Sequence, residues 1–271
     1  MPHKLPLRAA LFIFFCFFSV QILADVLTLG SAINKSGRQR MLSQNILKNH
    51  LALALDVDVV RARQELDRSV ALFEEQLQEL QEYAPSRPVR DALAVVEPLW
   101  QDYRALALGP ASRASAAQML ERNNALLKSC HQVVLELQEF AGRDSAQMVN
   151  IAGRQRMLSQ RIAAYYFAQA LGFRDDDITG NFATARREYG EGLGTLIAYP
   201  ANTPELRQAL KKVESQWALS NTGFEQLEDG RYVPHVIAVT TSGMLRRMDD
   251  ITGLYENLDT TLAGGAVAAA H

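Results

Sequence analysis

Gly37, Arg40, Ser43 and Gln44 belong to the stretch GRQRMLSQ, and the same eight residues return unaltered from Gly153 to Gln160, with Arg156 and Ser159 at matching positions. These residue types bring a narrow chemistry. A guanidinium is a permanent positive charge spread over a planar fork of donors, while serine and glutamine add neutral donors and acceptors. No nucleophile, base and orienting group can be assembled around them, so the pattern points to binding and away from catalysis. On a helix, Ile33, Gly37, Arg40, Gln44, Leu47 and Leu51 form one stripe, with Leu42 and Ile46 on the opposite side. The later copy gives Val149, Gly153, Arg156, Gln160 and Phe167. Each motif helix therefore has two apolar faces, one for its own core and one for a second partner.

Glycine is disfavoured in a helix interior, so Gly37 and Gly153 imply that backbone or ligand comes close at that point. An arginine one turn later on a largely apolar stripe is costly to bury unless it is paired, and neither stripe carries an acid. If the partner helix is a symmetry-related copy, Arg40 and Arg156 or their equivalents face each other and repel. A small anion between them turns that repulsion into two charge-assisted contacts, and a planar oxyanion matches the planar fork. Ser43, Gln44, Ser159 and Gln160 would supply additional neutral donors. The competing reading is a salt bridge from each arginine to an acid on a neighbouring helix, the usual fate of a helical arginine; the exact duplication weighs against it. Arg38 and Arg154 point nearly opposite to Arg40 and Arg156, so they are expected to be solvated or salt-bridged.

The octapeptide is the clearest part of a longer internal repeat. With Gly37 laid on Gly153, INKSGRQRMLSQNI matches VNIAGRQRMLSQRI, and Phe73, Leu77, Leu80 and Tyr83 fall on Tyr189, Leu193, Leu196 and Tyr199. Small gaps then bring Trp100 onto Trp217, and Met119 and Leu120 onto Met244 and Leu245. Apolar spacings of three and four residues, with no two-residue alternation, make each unit four helices, in the first near 27–55, 59–84, 88–107 and 113–141. Thr203 before Pro204 reads as an N-cap, RDDDITG as a helix start with acids at the positive end of the dipole, and LEDGRYVP as the last break. Pro98 lies inside the third helix, where the second unit has Ser215. The expected fold is all-α, two tandem four-helix up-down bundles: 1–24 a signal peptide, 25–141 and 142–262 the two units, and 263–271 a flexible tail. Either the fourth helix runs on through Gly142 and the bundles stack end to end, which is the favoured arrangement, or it stops there, restarts with Asp144 as N-cap, and the bundles lie side by side.

Composition bounds the function. The 271 residues are 48% hydrophobic and 21% charged, enough to bury a sizeable core, and a net charge of −2 offers no basic stripe for nucleic acid. Lys4 and Arg8, then the apolar AALFIFFCFFSV, then Ala24 before an acid have the layout of a secretory signal; cleavage after Ala24 is favoured over an uncleaved anchor, which places the mature chain in the periplasm. Cys16 falls within that signal and leaves Cys130 alone, so no internal disulfide is expected. His50, His131 and His235 lack metal spacing, and no metal or cofactor is expected. Met41, Met157, Trp100 and Trp217 read as core residues.

The two motif segments resemble the Asn-x-x-Gly-x-x-Arg-Met-x-Ser pattern of the PilJ-type periplasmic domain of type IV pilus chemotaxis transducers, and are similar to the P-box of NarX-type nitrate/nitrite sensor kinases. That resemblance implies helical bundles over about residues 27–260, motif helices paired across a dimer, and nitrate or nitrite held between motif arginines. Position by position it assigns Arg40 and Arg156 to the anion and Asn34 and Asn150 to the motif asparagine. Arg38 and Arg154 depart from the pattern, since the nitrate kinases are not basic there. The chain ends in LAGGAVAAAH without a kinase or methyl-accepting region, so a membrane receptor or kinase is the expected reporting partner, with a homodimer as another association. A periplasmic scaffold that docks a PilJ-type receptor without binding a ligand is the alternative.

Overall fold

A computed structural model describes residues 27–142, 145–225 and 233–269. They form eight helices and, among the described residues, no strand: α1 (Leu29–Ala54), α2 (Val59–Tyr83), α3 (Arg87–Leu108), α4 (Arg113–Ala141), α5 (Ser145–Ala170), α6 (Asp176–Ala198), α7 (Pro204–Glu225) and α8 (Pro234–Ala269). The expected helices of the first half match within one or two residues. The proposed signal segment, Asp144 and most of the LEDGRYVP break lie outside the described residues. No described helix is long and apolar enough to cross a membrane.

Local chemistry sets the ends. Thr28, Ser86 and Asp175 accept a hydrogen bond from the backbone N–H three residues on, and Ser112 and Ser115 form a reciprocal capping box. Thr203 caps α7 by accepting from Leu206 N–H at 3.1 Å. Asp175 to Asp177 start a helix, with two acids in its first turn. Pro98 sits within α3, which continues unbroken to Leu108.

The first four helices pack mainly on one another and the last four do the same, while α1 and α5 join the two sets along their lengths. These central helices are parallel: His50 near the end of α1 bonds Ser115 at the start of α4, and Arg113 at that same start bonds the carbonyl of Leu171, just past α5. The favoured end-to-end stack is therefore corrected. Helix α4 stops at Gly142, whose φ of +60° is the left-handed C-cap that terminates a helix, and α5 starts afresh beside α1. Helix α8 continues through Ala269; alanine has the highest helix propensity and continues a helix already nucleated.

Burial follows from this layout. From Gln39 to Leu53 every residue of α1 is buried, so the helix is enclosed on all sides and not only on two faces. Its polar residues are matched one by one: Gln39 donates to the carbonyl of Phe73, Asn45 to Ser69, and Lys48 pairs with Glu65 at 3.1 Å. Trp100 is wholly buried and stacks on Phe73 with ring centroids 3.9 Å apart. Its repeat counterpart Trp217 is only partly buried, tilted against Tyr189. Replacing Gly142 by alanine puts a side chain into left-handed backbone; the expected loss is roughly 1 kcal/mol of unfolding free energy, measured by denaturant titration.

Candidate functional site

Arg40 and Arg156 project from α1 and α5 into the seam between those helices and are 1% and 0% exposed. Helical side chains lean toward the N-terminus, so each guanidinium lies over the turn that holds the motif glycine. A Cβ built on Gly37 would stand 3.4 Å from Arg40 Nη2 and 3.6 Å from Arg156 Nη2; on Gly153 it would stand 3.3 Å from Arg156 Nη2 and 3.7 Å from Arg40 Nη2. The close approach expected at these glycines is thus made by both arginine tips. Missing side chains at Gly37 and Gly153 leave the space into which the two positive groups converge.

The asparagines are exchanged across the seam. Arg40 Nη2 donates to Asn150 Oδ1 at 2.6 Å, and Arg156 Nη2 donates to Asn34 Oδ1 at 2.8 Å. Because arginine can only donate, each amide must present its oxygen, which turns Asn150 Nδ2 toward Gln138 and Asn34 Nδ2 toward Glu256. The swap is a reciprocal contact about a pseudo-two-fold axis parallel to α1 and α5.

The outer sides of the two guanidinium groups differ. Arg156 Nη1 donates to Asp249 Oδ1 at 2.6 Å, whereas Arg40 Nη1 meets His131 Nδ1 at 3.0 Å. The expectation that neither arginine has an acid is corrected for Arg156; its carboxylate comes from α8, which the stripe of α5 alone could not reveal. Asp249 also reaches Arg38 at 3.4 Å, and Arg154 pairs with Glu188 at 2.9 Å, so both outer arginines are salt-bridged as expected. Both Nε donors, of Arg40 and of Arg156, are buried without a hydrogen-bond partner.

Charge energetics reflect the same imbalance. Burial, then repulsion from Arg154 and Arg156, lowers the Arg40 pKa to about 9, so it stays protonated at neutral pH. Burial pushes the Cys130 thiol beside it up to about 12. For His131, burial followed by Arg40 and Arg154 lowers the pKa to about 4, which keeps the ring a neutral acceptor for Arg40. Burial pushes the Asp249 carboxyl upward, but Arg156 and Arg38 outweigh it and hold the group below its ordinary range. Of the two buried guanidinium groups, Arg156 alone is bonded to a carboxylate among the described residues.

The remaining predicted residues are directed elsewhere. Ser43 and Ser159 donate back to the carbonyls of Arg40 and Arg156 in their own helices. Gln44 Nε2 donates to Ser43 and to Asn123 of α4, and Gln160 Nε2 to Ser159 and the carbonyl of Thr241 in α8. The two glutamines tie the motif helices to their own units, and the serines stay within their helices. Met41 and Met157 are core residues, as expected. His131 and Asp249 are the site members missed from the sequence. The register that lays Met119 on Met244 puts Asp249 on Asn124 and His131 on Glu256, so the two arginines are met from non-equivalent positions and the repeat could not have supplied either partner.

The family model described as "Type IV pili methyl-accepting chemotaxis transducer N-term", PilJ, matches residues 22–127 and 141–228. The chain belongs to this family. Each matched segment of the PilJ chain contains one octapeptide, the first on α1 and the second on α5. Among curated proteins and solved structures, none matches it.

Protonation of His131 offers a check on the site's electrostatics. With its folded pKa depressed to about 4 from 6.5, the unfolded chain takes up a proton that the folded chain refuses, so stability is lost as pH falls from about 6.5 toward 4. Replacing His131 by glutamine, which keeps an acceptor but cannot titrate, should flatten that part of the melting temperature against pH curve.

Proposed function

We propose that this PilJ-family chain is a periplasmic sensor domain that binds one small planar oxyanion, nitrate or nitrite, between α1 and α5 and reports it through a membrane receptor or kinase. The observation that carries this reading is the pair of buried guanidinium groups converging on Gly37 and Gly153, with a carboxylate bonded to Arg156 alone and both Nε donors unpartnered. A buried donor without a partner costs about 1–3 kcal/mol, more when charged, and a shared anion would satisfy both donors. Arg40 still has Nε and the second hydrogen of Nη2 to offer, the side-by-side arrangement that meets a planar oxyanion in bidentate fashion, whereas Arg156, whose Nη2 donates to both the side chain and the carbonyl of Asn34, offers Nε. Periplasmic location and the NarX-like anion preference follow the resemblance of the motif.

Because α1 and α5 belong to the same chain, the proposed site needs no homodimer. Binding would add contacts on both sides of the α1–α5 seam and favour the arrangement in which they meet, which gives a ligand leverage over the packing of the two halves. One observation favours the second reading, a scaffold that docks a receptor without a ligand: Arg156 is already held by Asp249.

Purified full chain titrated with nitrate, nitrite and chloride should show a higher melting temperature and a calorimetric binding signal with the oxyanions, lost in the Arg40→Ala, Arg156→Ala double variant. Absence of any anion response, with capture of a membrane receptor, would favour the scaffold. Gly153→Ala separates binding from stability. Alanine improves helix propensity by up to about 1 kcal/mol, yet its methyl group would sit 3.3 Å from Arg156 Nη2 and occupy the meeting point of the arginines. The variant should fold at least as well in anion-free buffer and respond more weakly to nitrate.

A further inference from the structure

We propose that Asp249 is a built-in charge filter, a carboxylate supplied by α8 that cancels one of the two guanidinium charges and so sets the arginine pair to accept a monoanion and reject a dianion. This rests on the anion-binding reading above and adds a selectivity-determining residue to it.

Charge count decides which anion the arginine pair accepts. Arg40 and Arg156 are buried, while Asp249 is the only carboxylate bonded to either of them among the described residues. The surrounding charges balance: Arg38 shares Asp249 from a partly exposed position, Arg154 is held by Glu188, and Glu256 accepts from Asn34. His131, the group facing Arg40, is neutral at physiological pH. The two enclosed positive charges are thus met by one negative charge at the rim. A monoanion brings the centre to neutrality. A dianion would leave a surplus negative charge in a site shielded from water, where an unpaired charge is strongly penalised.

Placement supports a filter over a mere structural pair. Asp249 is bonded at Nη1 of Arg156, while the glycine-facing Nη2 is held across the seam by Asn34 and Nε is left without a partner. Its side chain is 46% exposed, so it neutralises the arginine from the rim without occupying the meeting point of the two tips. On the other guanidinium the same Nη1 position is taken by the neutral ring of His131, so the correction is applied once and not twice.

Two substitutions move the count in opposite directions. Asp249→Asn raises the net charge of the centre by one, and the ratio of sulfate affinity to nitrate affinity should rise by about tenfold or more over the unsubstituted chain, read by calorimetry and by anion-dependent melting. His131→Glu places a carboxylate on Arg40; it should abolish the nitrate response while the anion-free chain melts no lower. An unchanged sulfate to nitrate ratio in Asp249→Asn, with nitrate still bound by the unsubstituted chain, overturns the filter and leaves the anion site standing. Should Asp249→Asn fail to fold, retention of the nitrate response in a folded His131→Glu chain overturns the filter. If the unsubstituted chain answers to no anion, the site and the filter fall together.

Discussion

Two positive groups enclosed at one seam are the constraint around which this molecule is arranged. Water would ordinarily separate and solvate them; here α2, α4, α6 and α8 wall in the central helices, so compensation must come from the protein's own groups or from a guest. Each motif residue can be read against that demand. The glycines give the guanidinium tips room, the exchanged asparagines hold them by their inner nitrogens, and the glutamines lock the supporting helices to their own units. The result is rigid support on three sides and incomplete charge compensation in the middle. That incomplete compensation is the feature on which the proposed anion site rests.

Much of the architecture was legible because helix periodicity and capping are local signals. The acids of RDDDITG and Thr203 announce helix starts by residue type, and the observed ends of the first unit differ from the expected ones by a residue or two. The octapeptide identified the seam for the same reason: mid-helix glycine followed by arginine on an apolar stripe is locally costly and demands an explanation. The arrangement of the units was not legible, because Gly142 is compatible with both a tolerated interior glycine and a left-handed stop, and only the long-range fit of α1 against α5 selects the second. His131 and Asp249 escaped for a related reason. A partner on another helix is set by the mutual rotation of the two helices, and helices that repeat in sequence met the arginines here at different turns.

The two units also diverge away from the seam. Phe73 and Trp100 stack closely in the first, whereas the matching Tyr189 and Trp217 are tilted and less enclosed; Gln76 of α2 corresponds to Gly192 of α6, whose bare backbone accommodates Gln155. Gln155 has neither side-chain polar atom bonded, while its counterpart Gln39 donates to Phe73. The second unit is therefore the less tightly satisfied of the two. A related sequence has been kept where the helices meet and allowed to drift where each unit needs only to fill its own interior.

Fusing both halves into one polypeptide has an evolutionary consequence. In a self-associating protein every substitution enters the shared seam twice, so a new acid on one side is matched by another across the axis, and the assembly dissolves on dilution. Here a codon change touches one flank alone, and the facing helices meet at any protein concentration. Histidine on one flank and aspartate on the other is an outcome that strict symmetry forbids.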